Sequence, residues 1–366
     1  MKPLLSNRYL LGTAPRLVIK IGSSSLTSAD GSLAMDRLRE LVDTVGQARR
    51  RGQEVVLVSS GSIAAGLAPL GFRRRPRDVR DQQAAAMVGQ SRLMRAYAEE
   101  FSRFDIRVGQ VLLTPDDVVN RRHYANAQAA LKRLLHLGVV PIINENDAVV
   151  TDELRFGDND RLAALVAHIV DATALILLTD VDGLYTGPPS MPGAKLISEV
   201  TDIDDLVGVQ ITGKGSDVGT GGMATKVDAA RIATSGGVAT LVASADDLPA
   251  ALSGQTIGTW FVPRSKRLAA RALWMRNAAM ARGTITVDSG AARALRGGGA
   301  SLLAVGITAC HGSFAAGDVV SIVDPAGHEV ARGLTAFSTG EVERFVADGA
   351  APRPIVHVDD LVFPAR

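Results

Sequence analysis

Cysteine is almost missing from this chain: the single Cys310 in 366 residues can close no internal disulfide. The six histidines include no H-x-x-x-H spacing and no Cys/His cluster. A disulfide framework and a structural zinc site are thereby excluded, and a reducing, cytoplasmic setting is expected. Aromatic residues make up only 4%, against 37 glycines and 15 prolines, which suits Ala/Val/Leu-packed α/β layers better than a β-sandwich. Charge of one sign is missing too. Forty Lys+Arg against 38 Asp+Glu leave +2, too little for nucleic-acid or membrane attraction to be a property of the whole chain. No apolar run approaches the roughly 18 residues of a membrane helix, and Asn7, Arg8 and Pro15 break any N-terminal signal-like stretch. A soluble protein with no membrane partner is expected. Lysine is also scarce, at seven of the forty cations, so each lysine inside a Gly-rich loop draws inspection.

What is present is apolar and ordered. Hydrophobic residues make up 46% and charged residues 21%, enough for two or more domains, each with its own core. Through the first 260 residues, strand-like runs at 17–21, 55–59, 108–113, 139–144, 174–179 and 238–242 alternate with helical stretches near 33–50, 81–104, 116–137 and 160–170. That rhythm predicts an α/β fold, a three-layer αβα sandwich around a mostly parallel sheet. In such sheets ligands sit beyond the carboxyl ends of the strands, so the loops there are where chemistry is sought.

From Arg264 to Arg282 the chain carries six cations and no acid, and reads as a helical connector. After Thr284 short runs are broken by turns such as 297–299, 311–312 and 324–327, the sign of a small β-rich domain. The expected division is 1–262, 263–283 and 284–366. The last segment holds six Arg and nine Asp/Glu, net −3, beside a connector of +6, which suggests docking by complementary charge and gives no cationic footprint for RNA.

Three templates for phosphate binding compete. Residues 208–215 nearly spell a P-loop, but Gly215 stands where Ser/Thr must hold magnesium. Residues 219–224 fit G-x-G-x-x-G/A, with Asp246 and Asp247 downstream of a strand, which keeps a nicotinamide-dependent dehydrogenase as an alternative. Against it, the loop comes late in its domain and places Lys226 in the first turn of the next helix. The third is Lys20-Ile21-Gly22-Ser23-Ser24-Ser25, directly after the first strand. Small residues there let backbone N–H groups approach phosphate oxygens, while Lys20 supplies a cation. Taken alone this is equally an ordinary β–α turn. Its company is Ser59-Ser60-Gly61, Asn144-Glu145-Asn146-Asp147 and Gly157-Asp158-Asn159-Asp160, polar loops at successive strand ends and a helix start. Asp158 singly is equally a helix cap; together the loops can line one pocket with hydroxyls, amides and carboxylates for an amino-acid-like substrate or for magnesium.

The segments VIKIGSSSLT (18–27), VSSGSIAAG (58–66), INENDAV (143–149), GDND (157–160), LTD (178–180), GLY (183–185) and GTGGMATK (219–226) resemble, in the same order, those of the glutamate 5-kinases within the amino-acid kinases. The ending, with ITVDSG (285–290), GDVV (317–320) and ARGL (331–334), resembles the PUA domain that many such kinases carry. After Tyr185 the family usually continues Thr-Ala-Asp-Pro, whereas Thr186-Gly187-Pro188-Pro189 follows here, and Ser23 replaces a common Thr.

The resemblance implies ATP-dependent phosphorylation of the γ-carboxylate of L-glutamate, with ATP and Mg2+ as cofactors and a place at the start of proline synthesis. It implies that Lys20 and Lys226 bind phosphates and act in transfer, with Asp160 orienting both. It places Ser60, Asp147 and Asn159 on glutamate. Gly22, Thr179, Asp180 and the stretch Thr220, Gly221, Gly222, Met223, Ala224, Thr225 and Lys226 fall on the nucleotide. It further implies proline as feedback inhibitor, a homo-oligomer, and transfer of product to glutamyl phosphate reductase. Metal ligands are not assigned, and another small-acid kinase of the family stays open beside the dehydrogenase.

Overall fold

The apolar runs of the first part of the chain become a single eight-stranded sheet in the computed structural model, which describes residues 7–28, 32–114, 117–118, 121–149, 159–206, 222–264 and 281–363. The elements begin with β1 (Arg16–Ile21), α1 (Ser23–Leu26), α2 (Met35–Arg50), β2 (Glu54–Ser59), α3 (Ser62–Leu67) and α4 (Val79–Ser102). They continue with β3 (Val108–Leu113), α5 (Arg121–His136), β4 (Val140–Glu145), α6 (Asn159–Ile169), β5 (Ala174–Thr179) and β6 (Glu199–Val200). Then come α7 (Met223–Ser235), β7 (Ala239–Ser244), α8 (Leu248–Leu252) and β8 (Thr259–Phe261).

Strand order is β3-β4-β2-β1-β5-β7-β8-β6. The first six are mutually parallel; β8 runs antiparallel to β7 and pairs in parallel with β6. Beta-branched and leucine-rich strands such as VVLV in β2 and ALILLT in β5 are buried on both faces, as parallel strands between helical layers must be. Alternation sends Leu17, Ile19 and Ile21 of β1 to the face covered by Leu38, Leu41, Val42 and Val45 of α2 and Leu93, Tyr97 and Phe101 of α4. The i, i+3, i+4, i+7 spacing on α2 is what makes that face continuous. Val18 and Lys20 consequently turn to the opposite face, where α6 packs on β1, β2 and β5. The strand β8 is only three residues long, yet Trp260 and Phe261 are fully buried, worth about 2–3 kcal/mol each.

Two glycines set how closely α3 lies on α4. A Cβ on Gly66 would fall 1.8 Å from the Ala85 carbonyl oxygen, and one on Gly89 would fall 1.8 Å from that of Ser62. Only bare backbone fits there, and the turn before α3 is thereby held against α4.

The chain divides into two compact units, Met1–Arg267 and Leu268–Arg366. The second contains β9 (Gly283–Val287), α9 (Ser289–Arg296), β10 (Ile307–Gly312), β11 (Val319–Val323), β12 (Glu329–Leu334), α10 (Thr339–Asp348) and β13 (Leu361–Val362). Its sheet runs β10-β9-β11-β12-β13, with its own core around Ile285, Val287, Leu295, Val320, Ile322 and Ile355. The expected β-rich character holds, and two helices that the sequence reading did not single out accompany it. Of these, α10 starts on a capping box in which Glu341 accepts from the Ser338 N–H (2.8 Å), and ends on Gly349 at φ 70°. Residues 265–280 of the expected helical connector lie outside the described residues. Among the described residues no helix is long and apolar enough to cross a membrane.

Candidate active site

Lys20, the penultimate residue of β1, points at the first turn of α6, where Asp160 is fully buried. Its Nζ lies 2.5 Å from Asp160 Oδ1, while Lys226 Nζ, from the first turn of α7, lies 3.0 Å from Oδ2. Lys20 is 3% exposed and Lys226 6%. Burying three charges costs several kcal/mol per ion unless they pair closely, which this bridge does. Two ammoniums on one carboxylate leave a surplus positive charge at the carboxyl end of the sheet. Thr225 Oγ1 donates to Asp160 Oδ2 at 3.1 Å and accepts from the Gly222 N–H at 3.2 Å, tying the start of α7 to the same carboxylate.

Gly22 lies beside Lys20: a Cβ there would come 3.9 Å from the Lys20 ammonium and 3.7 Å from Ser24 Oγ, ordinary contact distances. Met223 is half-buried and Ala224 exposed on the opening turn of α7. Thr220 and Gly221 lie outside the described residues, as do residues 157–158 and the P-loop-like stretch 208–215.

A second cluster is built of amides and hydroxyls. Asn159, one residue before Asp160, donates through Nδ2 to Ser60 Oγ (2.9 Å) and Asn144 Oδ1 (3.0 Å). Asn144 Oδ1 also accepts from the Glu145 N–H (2.9 Å), and Asn144 Nδ2 donates to Gln90 Oε1 (3.0 Å). Asp147 Oδ2 accepts from Ser62 Oγ at 3.2 Å. Ser59 Oγ meets the Tyr97 hydroxyl at 2.9 Å, and burial raises the titration of that phenol far above its usual range. Asn159 Oδ1 is buried with no hydrogen-bond partner among the described residues, an acceptor left open beside Ser60.

Of the residues singled out from sequence, Lys20, Asp160, Lys226, Gly222 and Thr225 come together around one carboxylate, and Ser60 and Asn159 around one amide. Thr179 and Asp180 end β5, the strand beside β1; Thr179 Oγ1 donates to Asp180 Oδ1 (3.1 Å), and Asp180 is exposed. The divergent stretch after Tyr185 folds back on itself: Tyr185 bridges Leu196, and the Thr186 N–H donates to the Lys195 carbonyl at 2.9 Å. Asp246, which a dinucleotide reading needs on a ribose, is paired with Arg37 of α2. Asn144, Gln90, Ser62 and Tyr97 were not read as site residues. Asn144 had a signal, standing first in the polar run after β4, and Ser62 lay within the segment 58–66; Gln90 and Tyr97 had none.

The amino acid kinase family model matches residues 15–244, and the PUA domain model matches residues 283–354. Glutamate 5-kinase of Streptomyces coelicolor is 51% identical over 366 residues, covering 97% of this chain and 98% of that protein. Glutamate 5-kinase of Frankia casuarinae is 54% identical over 372 residues, covering 98% and 100%. Among solved structures, carbamate kinase from Giardia lamblia bound to AMP-PNP superposes with a TM-score of 0.51 at 17% identity, covering 69% of this chain and 100% of that one, a likeness of fold.

Proposed function

The chain belongs to the amino acid kinase family, and from that premise we propose that it transfers the γ-phosphoryl group of ATP to the γ-carboxylate of L-glutamate, giving L-glutamyl 5-phosphate, the first step of proline biosynthesis. The observation that carries this reading is the buried Lys20–Asp160–Lys226 bridge. A carboxylate nucleophile is already ionised, so no general base is required, and catalysis reduces to positioning and charge neutralisation. Both lysines supply that charge to the transferring phosphoryl group, and Asp160 holds them at fixed separation.

The residues fit a nucleotide: a surplus cation, Gly22 and the opening turn of α7 face the same place. Thr179, Asp180 and the stretch Thr220 to Lys226 complete the nucleotide side in this reading. Magnesium neutralises phosphate charge when bound. Among the described residues no three His, Cys, Asp or Glu side chains converge on one point. On the acceptor side, Ser60, Asn159 and Asp147 bind glutamate, with Asp147 and the open Asn159 Oδ1 suited to the ammonium. Proline shares the α-carboxylate and the cationic nitrogen but lacks the γ-carboxylate, so it occupies this subsite without reacting. The division 1–262, 263–283 and 284–366, a cytoplasmic setting, a homo-oligomer and delivery of the labile acyl phosphate to glutamyl phosphate reductase belong to the same reading. The dehydrogenase alternative is not favoured, since the relatives along the whole chain are kinases.

The test is ADP release with ATP and each of glutamate, aspartate, acetylglutamate, carbamate and UMP. Glutamate-dependent turnover is expected; turnover with another acceptor in its place would overturn the substrate assignment.

A further inference from the structure

The amide cluster has a direction, and the residue that starts it is on a helix remote from the lysines. Gln90 belongs to α4, is 7% exposed, and follows Gly89, whose missing side chain lets α4 touch α3. Its Oε1 accepts from Asn144 Nδ2. Asn144 then has its oxygen turned to the Glu145 N–H and to Asn159 Nδ2, and Asn159 spends its NH2 group on Asn144, Ser60 and, at 3.4 Å, the Ser59 carbonyl. What remains at the end of the relay is an acceptor, the buried Asn159 Oδ1.

An amide reads a ligand differently according to which end it shows. If Asn144 turned over, its NH2 would face two N–H donors, and Asn159 would have to reverse to meet it. Asn159 would then present a donor. Gln90 and the Ser59 carbonyl oppose this by accepting, and the Glu145 N–H by donating. The Glu145 and Ser59 groups are backbone, so Gln90 is the side chain through which the orientation is reinforced and can be altered.

We propose that Gln90 is a positioning residue for substrate selection: through Asn144 it fixes Asn159 so that a carbonyl oxygen, rather than an NH2 group, meets the substrate's ammonium. This rests on the reading of the amide cluster as the glutamate subsite. Gln90 touches no substrate, and its effect is on discrimination between an amino diacid and the same diacid without the amine.

The experiment compares kcat/KM for glutamate and for glutarate, whose only difference is the missing α-ammonium, in the full-length enzyme and in Gln90→Met and Gln90→Glu. Methionine keeps the length and removes the acceptor; glutamate at this position keeps an oxygen for Asn144. Gln90→Met is expected to lower the glutamate-over-glutarate ratio at least tenfold, with the KM for ATP within about twofold of wild type, whereas Gln90→Glu keeps the ratio within about threefold. A purely structural role would lower both substrates together and leave the ratio unmoved, and that result overturns the proposal. Should Gln90→Met not fold, Gln90→Glu decides: a ratio retained supports the relay, and a ratio collapsed refutes it. If wild type phosphorylates neither diacid, the glutamate subsite itself is wrong, an outcome separate from failure of the relay.

Discussion

Replacing Asp160 by Asn tests the core of the site, because the substitution changes almost no volume and removes only the charge between the two lysines. The carboxylate takes Lys20 at 2.5 Å on one oxygen, and Lys226 at 3.0 Å with Thr225 at 3.1 Å on the other. An asparagine has one oxygen to offer. Turned toward Lys226 and Thr225 it satisfies two donors but sets its NH2 against the Lys20 ammonium, and Lys20 must move. Breaking a buried pair by removing one partner typically costs about 3–5 kcal/mol, and repulsion between the two ammoniums adds to that figure. For a domain of this size 1 kcal/mol shifts Tm by roughly 2–4 °C, so a fall on the order of 10 °C is expected. The kinetic effect is separate. A misplaced Lys20 loses transition-state contact, and a loss of more than about a hundredfold in kcat, near 2.7 kcal/mol, is expected. Steady-state ADP release and a thermal melt on the same preparation read both quantities. A variant that keeps kcat within tenfold of wild type, or melts with it, would refute the view that this carboxylate orders the lysines.

Lys20→Ala and Lys226→Ala are each expected to cut kcat by more than about a hundredfold while circular dichroism shows an intact fold; near-normal kcat removes that lysine from the mechanism. Asp147→Asn and Ser60→Ala should raise the KM for glutamate and leave that for ATP little changed, and the opposite pattern would reverse the two subsites. In the second unit the Arg296 guanidinium and the N–H groups of His328 and Ala326 hold Asp324 below the usual carboxylate range. A depressed folded pKa gives stability that is present above about pH 4 and is lost as pH falls through the folded value. Asp324→Asn should therefore destabilise at pH 7 and by progressively less in acid, as followed by urea unfolding; a difference that grows in acid would contradict the sign. A chain ending at Val262 should fold and release ADP with glutamate, since every proposed catalytic group lies between Lys20 and Lys226, and a folded but inactive product would show that the second unit helps to form the site.

The parallel core was legible because its strands are long, apolar and β-branched, and because each ends in a small polar loop. The short edge strands were not: β6 has two residues and β8 three, too few to carry any periodicity. They stay in place through tertiary burial of Trp260 and Phe261, which no local pattern announces. Helix α4 shows the same limit. A glutamine and a tyrosine in a charged amphipathic helix read as surface residues, yet Gln90 and Tyr97 are buried and hydrogen-bond to the ends of β4 and β2. The close approach of α3 to α4 at Gly66 and Gly89 likewise depends on the neighbouring helix and cannot be seen in either helix alone. Of the site, the lysines were visible as rare cations in glycine- and serine-rich loops, whereas the role of Asp160 came with the resemblance, because an acid at a helix start is ordinarily a cap.

The two half-sites meet at consecutive residues. Asn159 faces the amides of the proposed acceptor side and Asp160 the lysines of the proposed phosphoryl side, which successive positions of a helix allow because they point about 100° apart. The rest of α6 explains why this junction is firm. From Leu162 to Ile169 every residue is buried, and His168 Nε2 meets the Ile232 carbonyl of α7 at 3.0 Å. A helix apolar all round cannot rotate without exposing or overpacking part of its surface. Rotation of α6 would move the nucleophile's amide anchor and the lysines' carboxylate together but in different directions, separating the reacting groups. In the proposed mechanism, the burial that looks like ordinary core packing therefore keeps the acceptor in line with the phosphoryl group. A substitution deep in α6, such as Ala164→Leu, should impair kcat more than either KM, since binding to each half-site survives while their mutual alignment does not.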